Sequence, residues 1–292
     1  MRHQVRLKEA FSMVELIFVI IVLGIVASIG SAIIFNVYGG YISNKAQYNS
    51  SIKTELTLNQ IANRLHYAIP STIGYRQSKG GGFTLIAAGS NIPSTATVFQ
   101  WVGYDGDSFE AIDSGTASGS QRRPGWSGFC DVDAYVKGSK TLPTPGSHLE
   151  LANTIIGNLS KDAGGSNAKS LADTHIYFPD GSDYNVSSGN GENIVLDNPI
   201  PIGKDIYERY KLAWSSYALS VENGDLYLYY DFAPTSGASL SGAKKSLLLK
   251  DIDNFRFKAS EGAIRIKICK KEYIDSNTTA DAARSCKEKV IF

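Results

Sequence analysis

The segment Lys8–Ile29 reads KEAFSMVELIFVIIVLGIVASI, and its apolar part continues as LIFVIIVLGIVASIGSAIIF over Leu16–Phe35. No charge occurs after Glu15 until Lys45. As a helix rising 1.5 Å per residue, this run is about 30 Å long, the thickness of a bilayer's apolar core. A secretory signal has a shorter apolar stretch with a small-residue cleavage site behind it. Here the run is longer and passes into a helical pattern, so cleavage behind it is not expected. Arg2, Arg6 and Lys8, against Glu9 alone, give the preceding residues a local excess of positive charge. The positive-inside rule then keeps the N-terminus cytoplasmic and exports everything after about residue 40.

Glu15 lies at the membrane edge of an apolar segment that begins at Phe11. A carboxylate entering lipid is expensive and is usually paired and functional. If the chain were cut before Phe11, a new α-amino group would appear four residues from Glu15. That amine could pair with the Glu15 of a neighbouring copy, so that neither charge is buried alone.

The same residues carry a resemblance. KEAFSMVELIFVIIVLGIVASI closely resembles the class III signal of the type IV pilin superfamily, which includes pilins and type II secretion pseudopilins. The match covers roughly residues 6–35, with Lys8 in the basic leader, Ala10 as the small residue, then Phe11, Glu15 and the apolar helix from Leu16. Ala10 departs from the family's commonest residue, Gly. The resemblance implies that a prepilin peptidase cuts between Ala10 and Phe11 and methylates the Phe11 amine, and that Glu15 serves assembly. It also implies an α+β fold: a long N-terminal helix, membrane-spanning in its first half, packed against a C-terminal antiparallel β-rich head. The expected divisions are a leader at 1–10, a helix at 11–69 with its span at about 16–36, and a periplasmic head at 70–292.

The pattern beyond the span agrees with that outline. No proline occurs before Pro70, and Tyr48, Ile52 and Leu56, then Leu58, Ile61, Leu65 and Ile69, recur at three- and four-residue spacings. This predicts one helix from about Ser12 to Ala68, with an amphipathic second half. Paired Gly39-Gly40, just outside the span, predicts a bend or hinge. After residue 70 the period changes to two. Strands are expected at Phe83–Ala87, Thr97–Val102, Thr174–Phe178, Ser216–Val221, Asp225–Asp231, Asn254–Lys258 and Ala263–Cys269. Asn223-Gly224 reads as a tight hairpin turn. The Gly-, Ser- and Pro-rich stretch from Ile112 to Leu171 predicts irregular structure with a short helix around His148–Leu159.

The tail KSLLLKDIDNFRFKASEGAIRIKI, Lys245–Ile268, loosely resembles the C-terminal sheet of J-type minor pseudopilins and related minor pilins. Together with the large head it implies a minor subunit. The resemblance thus implies a type II secretion pseudopilus or type IV pilus-like fibre, serving protein secretion or DNA uptake. Its implied partners are the prepilin peptidase, other pilin or pseudopilin subunits, an inner-membrane assembly platform, membrane lipid, and secreted cargo or DNA at the fibre tip. The rival from another class is a signal-anchored periplasmic binding protein or adhesin that never enters a fibre. It predicts a ligand pocket in the head and no dependence on Glu15.

Composition excludes some functions. A net charge of +1 over 292 residues offers no basic excess for phosphate binding. The four histidines have no second His or Cys at metal-ligand spacing, and no nucleophile elbow, P-loop or dinucleotide fingerprint is present, so the reading is not an enzyme and carries no cofactor, with calcium the one alternative left open. The acidic pairs Asp105/Asp107, Asp131/Asp133, Asp180/Asp183 and Asp251/Asp253 lack the spacing of a calcium loop and read as turn formers. Of three cysteines, Cys269 and Cys286 are candidates for a bridge in an oxidising compartment and Cys130 for a buried free thiol, with other pairings open. Asn185 and Asn277, both expected in loops, are N-x-S/T acceptors with an aspartate two residues before, a form that resembles the sequon of bacterial N-glycosylation and makes both loops glycosylation candidates. Tyr227 and Tyr229 share a strand face opposite Leu226 and Leu228, where they cover either the sheet or a partner.

Overall fold

The structure, a computed structural model, describes residues 12–86, 92–113, 122–260, 263–275 and 278–291. They fall into two compact units. One comprises the chain to Ser50 with Glu272–Arg284, and the other Ser51–Lys271 with the chain from Ser285.

Helix α1, Met13–His66, is 54 residues long, on the order of 80 Å, and runs unbroken through Gly39-Gly40. In the first unit, side chains from Ser12 to Tyr41 are exposed apart from a half-buried Gly30, and the first buried helical residue is Ala46. In the second unit α1 buries Thr54, Thr57, Leu58, Ile61 and Leu65. The expected apolar face is therefore only half right. Leu58, Ile61 and Leu65 face the core, but Tyr48, Ile52 and Leu56 are exposed. The buried stripe before Leu58 is made of small and hydroxyl residues. Thr57 satisfies its hydroxyl locally, donating to the Lys53 carbonyl at 2.9 Å. The helix ends where the chain turns into sheet: the Ile69 N–H donates to the Val102 carbonyl, and Pro70 follows.

The second unit holds most of the strands. In chain order they are β1 (Gly74–Arg76), β2 (Phe83–Leu85), β3 (Val98–Gly103), β4 (Thr141–Pro143), β5 (His175–Tyr177), β6 (Asp183–Asn190), β7 (Asn193–Leu196), β8 (Lys211–Ala213), β9 (Ser215–Glu222), β10 (Asp225–Phe232), β11 (Lys244–Leu249) and β12 (Ile252–Ser260). The last two are β13 (Ala263–Asp275) and β14 (Thr278–Ile291), whose outer ends belong to the first unit. Helices α2 (Gly106–Glu110) and α3 (Leu149–Ser160) lie between β3 and β5. Each of the seven strands read from alternation overlaps an observed strand, although β2 stops at Leu85, with Ala87 outside the described residues, and β13 runs on to Asp275; α3 lies within a residue of its expected span.

Three sheets result, ordered β11-β10-β9-β3-β1-β2, β4-β7-β6-β5-β8 and β12-β13-β14. Pairing is antiparallel throughout the first two sheets and between β12 and β13. Asn223 and Gly224 join β9 to β10 with φ of 51° and 85°, the positive values that a primed two-residue turn requires.

Alternation assigns each face of the six-stranded sheet. Phe99, Trp101, Leu226 and Leu228 meet the α1 stripe and the Phe255, Phe257, Ile266 and Ile268 side chains of β12 and β13. On the other face Tyr229 packs with Val98, Ala218 and Phe232, and half-buried Tyr227 joins them. The tyrosines thus cover their own sheet. A separate core lies between α3 and the five-stranded sheet, where Leu149, Ala152 and Ile156 meet Ile176, Val186 and Ile194.

Candidate functional site

The α1 N-terminus is built by Ser12. Its hydroxyl accepts the Glu15 backbone N–H at 3.3 Å, and its carbonyl accepts the Leu16 N–H at 3.2 Å. Ser12 is thereby the N-cap, and Glu15 occupies the third helical position, an S-x-x-E arrangement. The carboxylate sits in the first turn, where the helix dipole favours negative charge. Glu15 therefore has a local reason for its place as well as the one argued from lipid. The S-x-x-E spacing of Ser12 and Glu15 is a signal that the sequence itself carries. Ala10 and Phe11 lie outside the described residues.

From Met13 the helix is long and apolar enough to cross a membrane, with a mean hydropathy of 2.9 over its 18-residue window and none of that window covered by the rest of the chain. It could serve as a membrane anchor.

Cys269 and Cys286 are joined by a disulfide between β13 and β14, and Cys130 is a free, buried thiol. Burial pushes the Cys130 thiol up to about 11. Asn185 lies on β6 with an exposed side chain, paired in register with His175. Its place corrects the expectation of a loop: the strand's single fully buried side chain, Val186, leaves too little alternation to reveal it. Asn277 lies outside the described residues.

The acidic pairs behave as local braces. The Asp105 side chain caps α2, accepting the Ser108 N–H at 3.1 Å. Asp131 accepts the Ala134 N–H at 2.9 Å, and Asp180 the Ser182 N–H at 3.0 Å. His148 pairs with Asp113 at 3.1 Å and His175 with Asp183 at 3.0 Å. Among the described residues no three His, Cys, Asp or Glu side chains group as a metal site.

Among the described residues of the second unit, a groove and a pocket stand out. A groove of about 840 Å³ runs beside the end of α1, between Asn63, Arg64 and Tyr67 on one side and Tyr230, Ser246 and Leu248 on the other. A smaller pocket of about 460 Å³ is walled by Phe109, Trp126, Tyr177, Phe178 and Tyr210, with Arg209 and Lys211 also lining it. Neither was foreseen, because these side chains come from loops and strand ends far apart in the chain.

Comparison with family models, with curated proteins and with solved structures finds no match.

Proposed function

We propose that the chain is a minor pilin or pseudopilin subunit, an inner-membrane precursor that enters a thin periplasmic fibre through the first half of α1. The observation that carries this reading is the uncovered apolar column from Leu16 to Phe35 with Glu15 at its foot. In this reading a prepilin peptidase cuts between Ala10 and Phe11, the new Phe11 amine is methylated, and Glu15 neutralises the amine of the next subunit. The span stays in the inner membrane, with the leader cytoplasmic and the head periplasmic, until an assembly platform extracts it. Tyr48, Ile52 and Leu56, exposed at four-residue spacing beyond the span, give the packing an apolar continuation. The head then meets fibre partners, secreted cargo or DNA.

The test is Glu15→Ala in a chain whose leader is still removed. Membrane insertion should persist and incorporation into sheared fibres should be lost. N-terminal sequencing should read Phe-Ser-Met-Val-Glu from a methylated first residue. A mature chain that keeps Met1, or a variant that polymerises normally, overturns the proposal.

A second reading draws on the aromatic pocket. A signal-anchored periplasmic binding protein or adhesin would use such a cavity directly and would tolerate loss of Glu15.

A further inference from the structure

The groove beside the end of α1 has a chemical bias that neither reading of the chain requires. Gln60, Asn63, Arg64 and Tyr67 follow one another at helical spacing and form one polar row along it. Asp107 of α2, Tyr230 of β10 and Ser246 of β11 share the lining. Two glycines let its tyrosines sit close. A Cβ at Gly103 would stand 2.6 Å from the Tyr217 ring, and one at Gly106 would overlap the Tyr67 ring. The Tyr67 hydroxyl donates to Glu110 at 3.0 Å, which fixes that ring further.

The polar groups of the lining are mostly unspent. Among the described residues the side chains of Gln60, Asn63, Asp107, Tyr230 and Ser246 have no hydrogen-bond or ion-pair partner. Gln60, Asn63 and Asp107 are exposed, and Tyr230 is half-buried. Tyr217 has both faces taken, by Trp101 stacked at 5.8 Å and by the Arg64 guanidinium at 5.7 Å. Tyr230 differs. Among the described residues no ring or cation packs on it, and Lys244, its neighbour across β11, turns away to Asp162 and Asp231 at 2.6 Å each. Arg64 and Asp107 supply one charge of each sign, and no other lining side chain is charged, so the groove favours no ionic ligand. Its apolar floor is closed: Leu228 is 2% exposed, which leaves a peptide no socket there for an anchoring side chain. Side-chain amides set a donor beside an acceptor, the match for neighbouring hydroxyls, and an open tyrosine face takes the C–H side of a sugar ring.

We infer that this groove binds a neutral oligosaccharide, one ring on Tyr230 and the hydroxyls on Gln60, Asn63 and Asp107. A volume of about 840 Å³ accommodates a ligand longer than a single sugar. The inference is independent of whether the chain enters a fibre.

The experiment titrates the full chain, held in lipid nanodiscs, with cellopentaose, maltopentaose and N-acetylchitopentaose, read by calorimetry. At least one should bind saturably. For that sugar, Tyr230→Ala and the double variant Gln60→Ala, Asn63→Ala should each weaken binding by about tenfold, whereas Tyr230→Phe keeps the ring and most of the affinity. Tyr48→Ala, at an exposed tyrosine outside the groove, should change nothing. An extended Thr-Val peptide should neither bind nor displace the sugar. Should Tyr230→Ala fail to fold by its thermal melt, the exposed Gln60 and Asn63 decide, since neither is packed in the core. No saturable binding by any of the three sugars, wild-type affinity in the folded groove variants, an equal loss in Tyr48→Ala, or displacement by the peptide each overturn the assignment.

Discussion

The Nε–H of Arg76 donates to the Gln100 side-chain oxygen at 3.0 Å, joining two buried polar residues on neighbouring strands β1 and β3. The rest of the guanidinium donates to backbone carbonyls, of Gly81 at 2.5 Å, Gly237 at 2.5 Å and Ala238 at 2.9 Å. Gln100 adds its own N–H to the Ala238 carbonyl at 2.9 Å. A buried cation is here solvated by peptide dipoles, and three separate chain segments converge on it.

Arg76→Ala should therefore destabilise the head by about 2–4 kcal/mol, because it strips several buried acceptors of their donor at once. Arg76→Lys should recover only part of this, since an ammonium cannot reproduce the planar fork. Denaturant unfolding followed by tryptophan fluorescence measures both.

On the proposed reading Glu15 has two separable roles, helix start and membrane charge. Glu15→Gln keeps a side chain suited to the third helical position and removes the charge. Ser12→Ala removes the cap at a cost of about 1 kcal/mol of helix stability and keeps the charge. If charge pairing drives assembly, Gln at position 15 should abolish fibre incorporation while Ala at position 12 leaves it near normal. The sheared-fibre fraction, blotted for the chain, separates the two, and the opposite ranking would make capping the whole role.

Reduction of Cys269–Cys286, or Cys286→Ser, should lower stability by roughly 3 kcal/mol on the chain-entropy account, for a separation of 17 residues. Cys130 should resist thiol reagents in the native state, being fully buried with its thiol held protonated. One reactive thiol per chain after denaturation without reductant, and none before, is the expected titration.

Asp105 should make stability fall as pH rises. Burial raises its carboxyl from 3.8 to about 6, against smaller lowering contributions from Ser108. The folded state holds this proton more tightly than the unfolded one, so the stabilisation is complete below about pH 3.8 and is lost as pH passes 6. Asp105→Asn keeps a good N-cap and removes the titration. The variant should gain on wild type between pH 4 and pH 7 by on the order of 2–3 kcal/mol. Unfolding free energies of both proteins across that range give the difference directly.

Hydropathy contrast decides what was readable beforehand. Leu226 and Leu228 alternate with tyrosines and fix β10 and its faces, and Asn223-Gly224 announces the turn before them. The inward face of α1 deceives where it is small: Thr54 and Thr57 are buried, yet their hydropathy does not distinguish them from surface residues, so apolar spacing favours Tyr48, Ile52 and Leu56 instead. Strand β6, DYNVSSGN, buries one side chain fully and leaves most others wet, which erases its period. At the proposed sites the divide is similar. Ser12 and Glu15 are neighbours in the chain and their cap was open to reading. Asn63, Asp107, Tyr230 and Ser246 become neighbours only through tertiary folding, and no local pattern brings them together.

The bare apolar half of α1 also sets how the molecule can exist. A column of side chains with no cover from the described residues has no comfortable state in water, so it favours a greasy host, whether lipid, detergent or, on the proposed reading, a sibling. If the chain enters a fibre as proposed, departure from one such host has to coincide with arrival at another, which makes handover, rather than release, the natural step of its life.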